Sequence, residues 1–307
     1  MNRKDLRVKT RQSFSLFGIL GFPLAHTLSP RMQEAAFEHL GIKAFYLVLE
    51  MRPSDFKFVM RRLRHFLIDG FNVTVPYKSA VIPYLDRVTE EARKIGAVNT
   101  VCRQGKRWVG ANTDAEGFYR SLVHDGGFHP RRKDAVVFGA GGSARAVIYA
   151  LAGHGARHIL IANRHPARAE KIARDFRKVF KLCRFTAIKL TDPAIRKAVE
   201  QAPLIINATS AGLKPSDTPV FKASWIPPAK KGGRKLFYDL IYSPARTRFL
   251  KAAAGRGHRI LNGVGMLVHQ GALAQELWLK RPAPVAVMRR ALAAALKEKD
   301  SRGKKNA

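Results

Sequence analysis

The sequence predicts an α/β protein of two domains, an N-terminal α/β domain followed by a doubly wound, mostly parallel sheet. Three observations predict it. Short apolar strand-like runs alternate with helical patterns, the rhythm of βαβ units. A glycine-rich turn, Gly139–Ala144, lies between the run AVVF at 135–138 and a helical stretch. A polar break at Gly126-Gly127 and His129–Lys133 separates one series of elements from the next. At roughly 100–200 residues per domain, the 307 residues fit two such units.

In the first series, strands are expected near 14–19, 45–50 and 71–75, and a hairpin of strands near 97–102 and 107–111 turns at Gln104-Gly105. Helical patterns cover about 30–40, 53–68 and 88–95, with Gly41 closing the first and Pro53 or Ser54 starting the second. The basic residues Arg3, Lys4, Arg7, Lys9 and Arg11 precede the apolar run Phe14–Ala25, an arrangement that imitates a secretory signal. Gly18, Gly21 and Pro23 interrupt that run, so it reads as a strand ending in a turn. In the second series, strands are expected at AVVF, at HILIA (158–162), at LIIN (204–207), at LFYDL (236–240) and at RIL (259–261). Two last helices, about 264–280 and 284–298, flank Arg281-Pro282. The expected division is 1–115 for the first domain, completed by helices 264–298, 116–263 for the second, and 299–307 as a disordered tail.

Composition bounds the function. Apolar residues are 46% and charged residues 25% of the chain, as in a globular protein rather than a collagen-like, disulfide-stapled or disordered one. Cys102 and Cys183 form no C-x-x-C pair, which fits a reducing cytoplasm and leads us to expect no metal site. No apolar stretch reaches the roughly 18 residues of a membrane span. Against 22 Asp and Glu stand 56 Lys and Arg, a net charge of +34. Such a surface draws phosphates, carboxylates and nucleic acid alike.

Gly139-Ala140-Gly141-Gly142-Ser143-Ala144 matches G-x-G-x-x-A between a strand and a helix. Gly139 suits the tight turn, Gly141 the close approach of backbone to a pyrophosphate, and Ala144 close helix–strand packing. The helix start adds N–H donors for the anion. A site for NAD usually places Asp or Glu at the end of the next strand. Here that strand ends Asn163-Arg164-His165, with Arg168 one turn on. Two guanidinium groups suit a 2′-phosphate. The second domain is therefore read as a Rossmann-type NADP(H) site.

The first domain carries polar side chains inside strand-like segments: Asn72 and Thr74 in GFNVTVPYK (70–78), Asn99 in GAVNT (96–100), Asp114 in GANTDAEG (110–117), and the hydroxyls Thr27 and Ser29 in GFPLAHTLSP (21–30). With VFGAGGSARA, NATSAG, DLIYSP and NGVGMLVHQGA, these segments resemble the shikimate dehydrogenase family, in order, over about 14–280. The resemblance implies a two-domain enzyme that reversibly reduces 3-dehydroshikimate to shikimate with NADPH, on the route to aromatic amino acids. It implies Lys78 and Asp114 as the catalytic pair. Thr27 and Ser29 would hold the substrate carboxylate, with Tyr242 nearby, and Asn72, Thr74, Asn99 and Gln270 the ring hydroxyls. Beside the fingerprint residues, Asn163, Arg164 and Arg168 would take the adenosine phosphate end, Thr209 and Ser210 would line the cofactor cleft, and Gly263 and Met266 would border the nicotinamide.

Two positions depart from the family pattern. Thr27 stands where serine is usual, keeping the hydroxyl but adding a methyl at the carboxylate end; quinate therefore stays open as an alternative substrate. His165 replaces a small hydroxyl residue. The charge raises a rival of another class, a basic nucleic-acid-binding protein on the same scaffold, but the sequence carries no helix-turn-helix, zinc finger or aromatic RNA motif. The expected partner is a small molecule, with no specific nucleic acid and no membrane, for a cytoplasmic monomer or homodimer.

Overall fold

A computed structural model describes residues 14–305 except His26 and Pro215. Two six-stranded sheets carry the fold. The first holds β1 (Ser15–Gly21), β2 (Ala44–Glu50), β3 (Gly70–Val73), β4 (Arg87–Val88), β5 (Thr100–Gln104) and β6 (Arg107–Ala111) in the order β2-β1-β3-β5-β6-β4. Its β5–β6 hairpin pairs antiparallel with Gln104 opposite Arg107, and Gly105 adopts φ +60° at the turn. Helices α1 (Ser29–His39), α2 (Phe56–Leu63) and α3 (Glu90–Ile95) accompany this sheet.

The second sheet is wholly parallel: β7 (Asp134–Phe138), β8 (His158–Asn163), β9 (Arg184–Lys189), β10 (Leu204–Asn207), β11 (Leu236–Asp239) and β12 (Arg259–Leu261), ordered β12-β11-β10-β7-β8-β9. Helix α4 (Asp114–Arg120) leads into it and runs on as a wide-turned segment Ser121–Asp125. Helices α5 (Gly142–Gly153), α6 (Pro166–Val179), α7 (Ala194–Gln201), the short α8 (Ala229–Gly232) and α9 (Arg248–Ala254) follow. The alternation of Val137, Ile159, Ile161 and Ile206 with Val136, Leu160, Ala162 and Ile205 fills a separate core on each face. A sheet covered on both faces reads as unbroken apolar runs, which is why AVVF, HILIA and LIIN stand out in the sequence.

The long helix α10 (Val264–Leu279) returns to the first sheet, where Trp278 stacks on Phe17 and donates to the Val101 carbonyl at 3.0 Å. Helix α11 (Val285–Lys305) packs on α1 and α10 through Leu292 and Met288. It continues past the expected end at 298, so the tail expected to be disordered is helical through Lys305, and its residues 306–307 lie outside the described residues. Packing upstream nucleates the helix, and Lys299, Arg302, Lys304 and Lys305, all good helix formers, carry it through the poorer Asp300, Ser301 and Gly303. Helix α2 is shorter than the expected 53–68, because Phe66 and Leu67 extend its apolar pattern yet are 63% and 84% exposed. Strand β3 stops at Val73, short of the expected 75 and ahead of Pro76, which offers no N–H to the ladder.

Candidate active site

Lys78 and Asp114 meet between the two sheets. The turn that carries Lys78 is anchored by Tyr77, which stacks on Phe56 with ring centroids 4.2 Å apart and donates to the Met51 carbonyl at 2.5 Å. The Lys78 carbonyl accepts from the Val98 amide at 2.7 Å, fixing its backbone from the other side. Its Nζ lies 2.5 Å from Asp114 Oδ2, with both side chains almost wholly buried. Asp114 opens α4. The Asn112 Oδ1 accepts from the Asp114 amide at 3.0 Å and the Ala115 amide at 3.2 Å, while Asn112 Nδ2 donates to the Ala97 carbonyl at 2.9 Å. The side chain thus satisfies amides at the helix start that no carbonyl can reach, and so holds Asp114 in place.

Asn99 is the hub beside this pair. Its Nδ2 faces Asp114 Oδ1 and Thr113 Oγ1, both at 2.9 Å, and Gln270 Oε1 at 3.3 Å. Its Oδ1 accepts from the Thr113 amide at 2.7 Å. Gln270 in turn donates to the Leu267 carbonyl at 2.9 Å. It reaches the cluster because α10 lies against α4, where a Cβ on Gly117 would come within 2.7 Å of the Gln270 amide nitrogen. An ammonium has three N–H donors. Asp114 takes one, and Ser143 Oγ, 3.2 Å away on the glycine-rich turn, takes a second. Among the described residues the third has no acceptor, so it is available to an oxygen entering the cleft.

The remaining expected substrate residues sit around the ends of β1 and β3. Thr27 Oγ1 accepts weakly from the Ser29 amide at 3.4 Å, and Ser29 begins α1, buried. Tyr242, after β11, lies near the Leu28 backbone, and burial raises its pKa. Thr74 packs its methyl against Gly21. Asn72 stands differently from the rest. Its Nδ2 donates to the Asn99 carbonyl and Thr100 Oγ1, both at 3.2 Å, and its Oδ1 accepts from the buried Tyr46 hydroxyl at 2.7 Å. Both of its N–H donors are thereby taken up in tying β3 to β5.

The cofactor side is built at the carboxyl ends of β7, β8 and β10, where the strand order reverses and doubly wound sheets bind ligands. Gly139 has φ +115°, and a Cβ there would come within 2.9 Å of the Ala208 carbonyl. A Cβ on Gly141 meets no protein atom within 4 Å, so the chain's own packing leaves room at the start of α5. Asn163 closes β8 by donating to the His165 carbonyl at 2.9 Å. Arg164 and Arg168 are exposed, and among the described residues neither has an acidic partner. Two unpaired guanidinium groups with no carboxylate at this strand end fit the 2′-phosphate of NADP. The Thr209 hydroxyl donates to Asn207 Oδ1 at 2.7 Å and shapes its own loop, whereas Ser210 is exposed. Gly263 passes so near the Leu240 carbonyl that no side chain fits, and Met266 is buried one turn into α10.

Three stretches match family profiles: residues 19–101 the shikimate dehydrogenase substrate binding domain, 125–242 the shikimate / quinate 5-dehydrogenase, and 263–293 the shikimate 5′-dehydrogenase C-terminal domain. A shikimate dehydrogenase (NADP(+)) of Geobacter metallireducens is 44% identical over 293 residues, 95% of this chain and 99% of that protein. The chain belongs to the shikimate dehydrogenase family. Among solved structures, the shikimate 5-dehydrogenase of Thermus thermophilus in complex with NADP(H) and shikimate is 37% identical, with a TM-score of 0.79, and covers 92% of this chain and 100% of its own. The quinate dehydrogenase of Corynebacterium glutamicum in complex with NAD is 30% identical, with a TM-score of 0.80 and the same coverages.

For a member of the shikimate dehydrogenase family, three supporting residues went unread in the sequence. Asn112 had a signal, since an Asn two residues before a helix-opening Asp is an Asx cap. Asp239 and Asn207 had none. Asp239 accepts from Thr247 Oγ1 at 2.6 Å and, at 3.1 Å each, from Asn207 Nδ2 and the Ile241 amide. Burial pushes its pKa up to about 6 against these three donors. The network joins the loop of Thr209 to the loop of Tyr242.

Proposed function

We propose that this chain catalyses the reversible, NADPH-dependent reduction of 3-dehydroshikimate to shikimate. The observation that carries the reading is the buried Lys78–Asp114 pair with one ammonium N–H left for an incoming oxygen. Reducing a ketone requires a hydride on carbon and a proton on oxygen. NADPH supplies the hydride when bound, held by the turn 139–144, Asn163, Arg164 and Arg168, with Thr209, Ser210, Gly263 and Met266 lining its path. Lys78 hydrogen-bonds the carbonyl oxygen, stabilises the negative charge that grows there, and delivers its proton. Asp114 keeps the ammonium aimed. Asn72, Thr74, Asn99 and Gln270 hold ring hydroxyls. Thr27, Ser29 and Tyr242 hold the carboxylate. A site that hydrogen-bonds each hydroxyl rejects analogues lacking one by roughly 10⁴-fold or more.

The +34 charge assists capture of two anionic ligands. Among the described residues no helix is long and apolar enough to cross a membrane; we place the protein in the cytoplasm, as a monomer or homodimer with no specific nucleic-acid partner. Quinate is the second reading, favoured only by the extra methyl of Thr27. Initial rates with shikimate and quinate, each with NADP and NAD, separate the two. We expect the highest kcat/KM for shikimate with NADP; a higher value for quinate with NAD overturns the proposal.

A further inference from the structure

We propose that Ser143 is a positioning residue for Lys78, so that the cofactor-binding turn itself sets the proton donor of the other domain. The inference rests on the role given to Lys78 above. Lys78 belongs to the first sheet's connections, yet it touches the second domain at two points. The Ser143 hydroxyl accepts from Nζ at 3.2 Å. The lysine stem lies against Gly142, where an added Cβ would stand 3.1 Å from Lys78 Cβ and 3.2 Å from Cδ. The ammonium is therefore held from both sides of the cleft, by Asp114 on its own domain and by the first turn of α5 on the other. With two of its three N–H groups directed, the last can point in only one direction.

The same arrangement divides the labour of Ser143. Its hydroxyl serves Lys78, while its backbone N–H, in the first turn of α5 where helix amides lack carbonyl partners, stays available to an anion. Lys78 is thus fully oriented only when the glycine-rich turn is in place beside it. A glycine at 142 leaves the width that the lysine stem occupies.

The test uses the full chain carrying Ser143→Ala, Ser143→Thr and Gly142→Ala. Two readouts are taken: steady-state kinetics, and the rate at which an amine-reactive reagent labels Lys78 in the ligand-free protein, read by mass spectrometry. Loss of a hydrogen bond to a charged group is worth on the order of tenfold in the state it holds. Ser143→Ala is expected to lower kcat by about that factor, to leave both KM values nearly unchanged, and to speed Lys78 labelling. Ser143→Thr, which keeps the hydroxyl, restores both. Gly142→Ala, whose Cβ crowds the lysine stem, is expected to lower kcat. Unchanged kcat and labelling in Ser143→Ala, or a loss confined to the KM for NADP, overturns the inference while leaving the proposed activity standing. A wild-type protein that does not turn over shikimate, yet shows Ser143-dependent labelling, removes the activity and keeps the contact.

Discussion

Replacing Lys78 with methionine removes the ammonium and keeps most of the stem. Two effects follow, and the structure separates them. For stability, Asp114 Oδ2 loses its cation, while Oδ1 keeps the Asn99 amide at 2.9 Å. Orphaning one member of a buried ion pair costs about 3–5 kcal/mol, and the surviving hydrogen bond puts the expectation at the lower end. The double variant Lys78→Met/Asp114→Asn removes the stranded charge and recovers much of that loss. For activity, an oxyanion donor contributes about 10²–10³ and a general acid about 10²–10⁴. One group performs both tasks, so the factors do not multiply. We expect kcat to fall by about 10³–10⁴, equal to about 4–5.5 kcal/mol of barrier. Shikimate binding is expected to change far less, because the proposed carboxylate and hydroxyl contacts lie on other residues. Single-turnover absorbance of NADPH gives the rate, calorimetric titration gives Kd, and urea unfolding gives stability. A kcat within about tenfold of wild type, or a loss expressed only in Kd, refutes the assignment of Lys78.

Three further outcomes are expected. Arg164→Ala with Arg168→Ala removes charge-assisted hydrogen bonds of about 1.5–3 kcal/mol each; the KM for NADP should rise at least tenfold by that measure, with the KM for NAD unmoved, as read by paired initial rates. Asp239, with a pKa near 6 when folded and 3.8 ordinarily, binds its proton more tightly in the folded state. Its contribution to stability therefore grows as pH falls from 6 towards 4 and is lost as pH rises through 6; relative to Asp239→Asn, wild type should gain on the order of 2 kcal/mol between pH 7 and pH 4 by urea unfolding. Asn112→Ala strips the cap from α4, with an expected loss of about 1 kcal/mol and a lower kcat at unchanged KM; Asn112→Asp, which keeps the accepting oxygen, should retain more of both.

The parallel sheet was legible because its central strands are buried on both faces and form continuous apolar runs. Strand β9 was not: it lies at the edge, and of Arg184–Lys189 only Phe185 is buried. Helix α6 hides in the sequence for a related reason, since its apolar stripe of Ala169, Ile172, Ala173 and Phe176 is narrow among charged residues. Helix α2 was drawn too long because hydrophobicity alone does not tell a buried residue from Leu67, which faces solvent. In the site, Asn99 and Asp114 stood out as polar groups in strand-like segments, Lys78 and Gln270 followed from the family resemblance, and the structure brings the four together. Their supports did not. Asp239 and Asn207 act by fixing loops, and Thr247 reaches them only once β10 and β11 lie side by side. Asn72 is expected to face a ligand, and the bonds its side chain makes within the chain, to Tyr46, the Asn99 carbonyl and Thr100, join residues that no local sequence pattern links.

The role of Lys78 is decided by a crystal structure of the complex with shikimate and NADP. Lys78 Nζ is expected to donate to the hydroxyl being oxidised at about 2.7–3.1 Å, with Asp114 still bound to the ammonium. A shikimate whose reacting oxygen is held by other groups, with Lys78 turned away from the cleft, would contradict it.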